Sequence, residues 1–546
     1  MVFDKDAFEQ VLNTLQQATF GIEAGQPLPS ARFALLLNRG EEAARSMEAI
    51  ARAFEGRLGV TVEQPLRADE PELLLLTLTG RSFFDSPHLC FEAAYRLIDA
   101  FGLANAEPEI LTGIFTEPDL GGPSRLEELA VELPMGCWAP PEPRVEADKQ
   151  WALRAIRIRE AWNMSPAGRD QGAGIVIAQP DTGLTSHTEL RDIQIKDPID
   201  LIQGDADPAD PLTAWFGNNG HGTATASVVV SKASGDVLGS APKAVLMPIR
   251  AIRSVVRTSQ LSIAEAINHA VRNGAHVITM SLGGLPSFFL RAAVRRAVRN
   301  NIIVLAASGN CVRQVVYPAR YDDCMAVAGT NIDDQPWRGA CRGPSVALSA
   351  PAENVYRARA ERVDEEVHFS TGQGQGTSFA VALTAGVAAC WLAHHGRDTL
   401  VRKAAARGET LQQSFTRLAC ATARQVPGWN SRTFGAGIVD AAALLAADFD
   451  LGAAGPQPEM AVAAPGGDSV RTLVEEAAGG RTVEEIDWEV FGPEIALNIY
   501  TNALVGKQLR TGERGVLETI AGARPEPLSA SLLERLKSRP GLRDAL

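Results

Sequence analysis

Four short blocks in the middle of the chain carry side chains able to do nucleophilic and acid–base chemistry. They are Asp181-Thr182-Gly183, His221-Gly222-Thr223, Ala307-Ser308-Gly309-Asn310 and Gly376-Thr377-Ser378. Ser378 follows a glycine-rich turn and opens a segment, Phe379 to Leu392, that is almost wholly small or apolar. Such a segment reads as a helix buried on every side. A hydroxyl at its start suits a nucleophile, because the glycines let chain approach closely and a helix N-terminus favours developing negative charge. Each block alone also suits an ordinary turn. Turn statistics do not account for all of them in this order.

The elements that must hold these blocks are legible around them. Apolar runs at Ile175–Ala178, Ala244–Met247, His276–Met280 and Ile302–Ala306 alternate with helical segments. Ser262-Ile263-Ala264-Glu265 reads as a capping box, followed by apolar residues at helical spacing and Gly274 as a stop. A second helix puts Leu290, Val294, Ala297 and Val298 on one face; Arg291, Arg295, Arg296 and Arg299 read as a solvated opposite face. Continuous apolar strands separated by helices predict a parallel sheet covered on both sides, with ligands at the carboxyl ends of the strands. The blocks at Asp181, Ser281-Leu282-Gly283 and Ala307–Asn310 fall at those ends, and His221 and Ser378 open helices.

These residues, in this order, resemble the catalytic blocks of the subtilisin-like serine proteases, the subtilase family. Ser281-Leu282-Gly283 resembles the family's substrate-lining strand, and Ala306-Ala307-Ser308-Gly309-Asn310 its oxyanion block. Trp151–Trp162 and Phe434–Asp440 resemble the segments that open and close its core, so the likeness covers roughly residues 148–447. The resemblance implies an α/β, subtilisin-like parallel sheet flanked by helices. It also implies a peptide-hydrolysing site in which Ser378 attacks the carbonyl, His221 shuttles the proton, Asp181 orients the imidazole and Asn310 donates to the oxyanion. Ser281, Leu282, Gly283, Ala307, Ser308 and Gly309 would line the substrate cleft. Three positions depart from the family's habit: Ala382 for a proline, Ala224 for a second histidine, and Pro180 for an aliphatic residue. None removes a reacting group.

Other candidate residues are read as structural: His187 as a non-triad histidine, His394-His395 as a helix end, and Cys311 as a reduced core thiol. Asp205-Ala206-Asp207-Pro208-Ala209-Asp210 lacks the glycine and terminal glutamate of a compact calcium loop. It reads as a solvated loop. Structural calcium is conceivable there but not indicated, no metal ligand set is identified, and no cofactor is expected.

Outside this core, residues 1–115 read as strand, helix, two strands, helix, strand, with the last strand at Glu109–Phe115. That is a ferredoxin-like α+β order, the architecture of subtilase propeptides, though an unrelated interaction domain has the same pattern. Residues 116–148 and 449–467 read as linkers, 149–448 as the peptidase-like unit, and 468–546 as a small accessory region with helices at Asp468–Ala478 and Ser529–Lys537. Either flanking region offers a surface for a protein partner. The net charge of −13 argues against nucleic acid, and no apolar run approaches a bilayer span. Seven cysteines with no C-x-x-C pair and no apolar signal segment suggest a cytoplasmic protein. The expectation is a serine endopeptidase acting on peptide or protein substrates, latent or regulated through its N-terminal domain. An inactive or permanently latent fold that serves as a binding module is the alternative.

Overall fold

The computed structural model describes residues 30–55, 59–65, 71–79, 87–112, 147–213, 220–255, 258–310, 313–363, 366–452, 467–511 and 527–546. Its centre is an eight-stranded sheet. In spatial order the strands are Val346–Pro351, Met325–Thr330, Ile303–Ala307, Val277–Met280, Val176–Asp181, Val245–Arg250 and Gln194–Ile195, with Ile199–Asp200 also paired to Val245–Arg250. Every pairing in it is parallel. Successive strand residues feed opposite faces. Val176, Ala178, Ile278, Met280, Val304 and Ala306 enter one core, while Ile177, Val277, Ile303 and Leu305 enter the other. Burial on both faces is why these strands read as unbroken apolar runs.

Helices Gln260–Arg272 and Phe288–Arg299 cover the first face, and helix Thr377–His395 covers the second. The capping-box expectation is corrected: the first of these helices starts three residues earlier, with Ser259 as the cap accepting from Ser262 N. The expectation that no apolar run approaches a bilayer span is also corrected, by length and composition alone. Thr377–His395 is long and apolar enough by composition to cross a bilayer, but it is enclosed by the sheet and neighbouring helices.

Strands Ser30–Leu36, Val60–Glu63, Leu73–Thr79 and Asn105–Pro108 form a separate antiparallel sheet, backed by helices Glu41–Phe54 and Pro87–Phe101. The last strand lies earlier than the expected Glu109–Phe115. Among the described residues of that range, Leu111–Thr112 is strand, and it pairs antiparallel with Thr258–Ser259 instead. Most of the two expected linkers lies outside the described residues. Helices Gly467–Ala477, Trp488–Thr511, Ala530–Leu536 and Pro540–Ala545 make up the C-terminal region.

The N-terminal sheet meets the helices beside the parallel sheet through carboxylates at their N-termini. Glu107, 3% exposed, accepts from Ser287 Oγ, Phe288 N (3.0 Å) and Phe289 N (3.2 Å). Glu109 accepts from Ser259 Oγ and pairs with Arg32 at 3.3 Å, and Arg32 also reaches Glu265 at 2.9 Å. Anions are favoured at helix N-termini, which accounts for both placements.

Burial pushes the Glu107 carboxyl up to about 7 against the pull of its donors. A carboxyl raised on folding contributes stability that is complete below its unfolded value and lost as pH rises through its folded value. Thermal melts of wild type and Glu107→Gln across pH 5 to 8.5 should therefore show the wild type losing ground to the variant as pH rises. A melting-point gap independent of pH would refute this.

Candidate active site

The parallel register puts the carboxyl ends of three central strands at one edge of the sheet. Asp181 is the last residue of strand Val176–Asp181, while Ser281–Gly283 follows the strand next to it and Ser308–Asn310 the strand beyond that. His221 and Ser378 begin two helices that pack on each other, His221–Val230 and Thr377–His395.

His221 Nδ1 lies 2.7 Å from Asp181 Oδ1, and both side chains are almost wholly buried. Asp181 Oδ1 also accepts from Thr182 N (2.7 Å), and its Oδ2 lies 3.2 Å from the Thr225 hydroxyl. Thr225 Oγ1 accepts in turn from Gln179 Nε2 at 2.6 Å. With Nδ1 directed at the aspartate, Nε2 is the imidazole nitrogen able to act as base. Two glycines permit the approach. A Cβ on Gly222 would collide with Gly183 O, and Gly183 itself has φ +119° and no room for a Cβ beside Pro208 O.

Ser378, 1% exposed, sits one residue into its helix. Its Oγ donates to Ser281 O at 3.4 Å, and Ser281 Oγ donates to Ser378 O at 3.1 Å. The Asn310 carboxamide is oriented by Thr377, whose N–H and hydroxyl donate to Oδ1 at 3.1 and 2.9 Å. A backbone N–H can only donate, so this contact identifies the oxygen, and the amino end is the one that can serve an oxyanion.

The expected cleft residues do not all share a role. Ser281, Leu282 and Gly283 are buried, and Gly309 turns its segment with φ +103°. Ala307 closes its strand in the core shared with helix Thr377–His395, and the fully buried Ser308 donates its hydroxyl to Cys341 O at 3.0 Å.

His187 caps the turn Thr188–Leu190 by accepting from Glu189 N, and its Nε2 meets Ser370 O at 3.1 Å. Asp205 and Asp207 accept from backbone N–H groups two residues on. Among the described residues no cluster of three or more His, Cys, Asp or Glu side chains suited to a metal is present. Ala382 is fully buried within its helix, where a proline is usual in the family.

A sequence profile of the subtilase family matches residues 172–437. The chain is 33% identical over 210 residues to Subtilisin BL of Lederbergia lenta, covering 38% of this chain and 72% of that protein. It is 30% identical over 257 residues to thermitase of Thermoactinomyces vulgaris, covering 46% and 85%. This chain belongs to the subtilase family. Against the thermostable alkaline protease of Halalkalibacterium halodurans it is 35% identical over 242 residues, 44% of this chain and 61% of that relative's length. Fervidolysin of Fervidobacterium pennivorans, a solved structure, shares the fold with a TM-score of 0.55 at 20% identity, over 80% of this chain and 64% of that one.

Several residues that shape this subtilase site escaped sequence reasoning. Gln179 and Thr225 stand two residues before Asp181 and one helical turn after His221, spacings that could have flagged them. Asp210 was read only as part of a solvated loop; it is buried instead, accepting from Leu212 N (2.8 Å) and Gly220 N (3.0 Å) and from the Thr182 hydroxyl. Thr182 Oγ1 accepts from Gly222 N at 3.1 Å, so Asp210 braces the backbone on both sides of His221. Asp210→Ala should slow fluorophosphonate labelling of Ser378 by about tenfold or more, through misplacement of His221. An unchanged labelling rate would remove this role.

Proposed function

We propose that this chain is a serine endopeptidase whose reaction uses Asp181, His221, Asn310 and Ser378. The observation that carries the reading is the buried His221–Asp181 pair at 2.7 Å, at the start of a helix that packs against the buried helix bearing Ser378 near its own start. Ser378 Oγ would attack the scissile carbonyl as His221 Nε2 takes its proton. The imidazolium, stabilised by Asp181, would then return that proton to the leaving amine. The Asn310 amino group would donate to the tetrahedral oxyanion, beside the backbone N–H of Ser378. An extended peptide or protein segment would lie along Ser281–Gly283 as an added strand. No cofactor takes part in these steps. We also assign the protein to the cytoplasm, a reading supported by the absence of disulfide bonds at Cys90, Cys324, Cys341, Cys390 and Cys420 among the described residues.

We further infer that the N-terminal region, of ferredoxin-like order, restrains the site in the manner of a propeptide. Supporting this, Leu111–Thr112 pairs with Thr258–Ser259, and Thr258 Oγ1 donates at 2.5 Å to Gly283 O, on the proposed substrate wall.

A fluorophosphonate probe should label wild type and not Ser378→Ala. By analogy with subtilisin, Ser378→Ala should lower turnover on the order of 10⁶-fold and Asn310→Ala by about 10²–10³. Equal labelling of wild type and Ser378→Ala would exclude Ser378 as nucleophile. For latency, the intact mass of wild type followed over time should show loss of an N-terminal fragment that Ser378→Ala never shows. Two masses that stay whole would count against self-processing.

A further inference from the structure

Helix Pro87–Phe101 has two apolar faces. Ala93, Ala94, Leu97 and Phe101 pack on its own sheet, whereas Phe91 and Tyr95 turn away from it and join the core that lines the parallel sheet. A free N-terminal region would expose those two aromatic rings, a patch that calls for a cover. Helix Trp488–Thr511 provides it. The Tyr95 ring lies 4.8 Å from that of Phe491, and Tyr95 Oη donates to Glu494 at 2.9 Å. Glu494 is 2% exposed and also accepts from Ser529 N and Oγ, the cap of helix Ala530–Leu536. Asn105 Nδ2 donates to Glu489 O at 2.8 Å, and Glu92 accepts from Ser531 N at 2.9 Å.

The same C-terminal helices are fastened to the peptidase core. Arg320, 3% exposed, meets both oxygens of Glu476 at 2.6 and 3.2 Å and donates to Ser469 O. Tyr500 Oη donates to Val315 O at 3.0 Å. Arg291 pairs with Glu489 at 3.1 Å, so the arginine face expected to be solvated is in part a docking surface.

We propose that the C-terminal region is a clasp: anchored on the peptidase core through Arg320 and Tyr500, it presents Phe491 and Glu494 to hold the N-terminal region in place after residues 113–146 are cut. The occupant is the chain's own helix Pro87–Phe101, matched by ring packing and by a buried carboxylate that meets a phenol. Separation would uncover Phe91, Tyr95 and Phe491 and leave the buried Glu494 without its phenol donor. On this basis a severed N-terminal region remains a bound subunit, and cutting alone does not clear the site.

The test needs no activity from the chain, so it stands apart from the proposed function. A recognition sequence for a foreign site-specific protease is placed within residues 113–146 of full-length Ser378→Ala, the purified protein is nicked, and the fragments are followed by gel filtration and by dilution-jump dissociation. The fragments should co-elute. Tyr95→Ala and Phe491→Ala, one on each side of the contact, should release the N-terminal fragment at least tenfold faster. Tyr95→Phe and Asn105→Ala, which each remove one hydrogen bond across the contact, should release it several-fold faster and carry the result if the larger truncations fail to fold. Prompt separation of the nicked parent, or release rates in the variants equal to the parent's, would overturn the clasp.

Discussion

Burial of the parallel sheet on both faces is the constraint from which the rest of the structure follows. Parallel strands need crossovers, and crossovers that cover both faces bring every central strand to the same edge at its carboxyl end. Helix Thr377–His395 must then lie against one face with no side exposed. It can do so because its residues are small: a Cβ on Gly386 would collide with the Ser240 side chain. The position of Ser378 is thereby set by close packing over the length of a helix, which resists displacement far better than a loop would.

The site built on that edge is held by hydroxyls, amides and backbone groups. Asp181 is served by His221, Thr182 N and Thr225, and Thr225 by Gln179. Asp210 and Thr182 brace the turn that carries His221. A hydrogen-bonded network in a dry interior has few alternative arrangements, because any departure leaves a buried polar group unsatisfied. Rigidity of this kind suits a catalyst that must present preorganised dipoles to a developing charge.

Charge is used differently where the three parts of the chain meet. Glu107 stands at one helix N-terminus and Glu494 beside a phenol, and burial pushes each carboxyl up to about 7. One continuous apolar core runs from Phe91 and Tyr95 through Phe289 and Leu290 to Leu473, Trp488 and Tyr500. The N-terminal and C-terminal regions therefore share their packing with the peptidase core, and movement of either has to reorganise that core.

What was legible in the sequence was local or periodic. The strands at Val176, Val245, Val277 and Ile303 announced themselves because both faces are buried. Ser378 did so because its helix is apolar throughout, and Asp181, His221 and Asn310 because each sits in a short, ordered block. What the sequence concealed depends on partners far along the chain. Asp210 looks like one more loop carboxylate until Gly220 N and the Thr182 hydroxyl are beside it. The Arg291 face looks solvated until Glu489 arrives from almost 200 residues away. Phe91 and Tyr95 read as ordinary helix aromatics until Phe491 covers them. By itself the sequence determined the kind of sheet and the helix that carries Ser378, since these follow from nearest-neighbour chemistry and hydrophobic period. Only the tertiary structure decided which buried carboxylate braces His221 and how the two ends of the chain close on each other, because such contacts are selected by shape and desolvation between segments with no sequence relation.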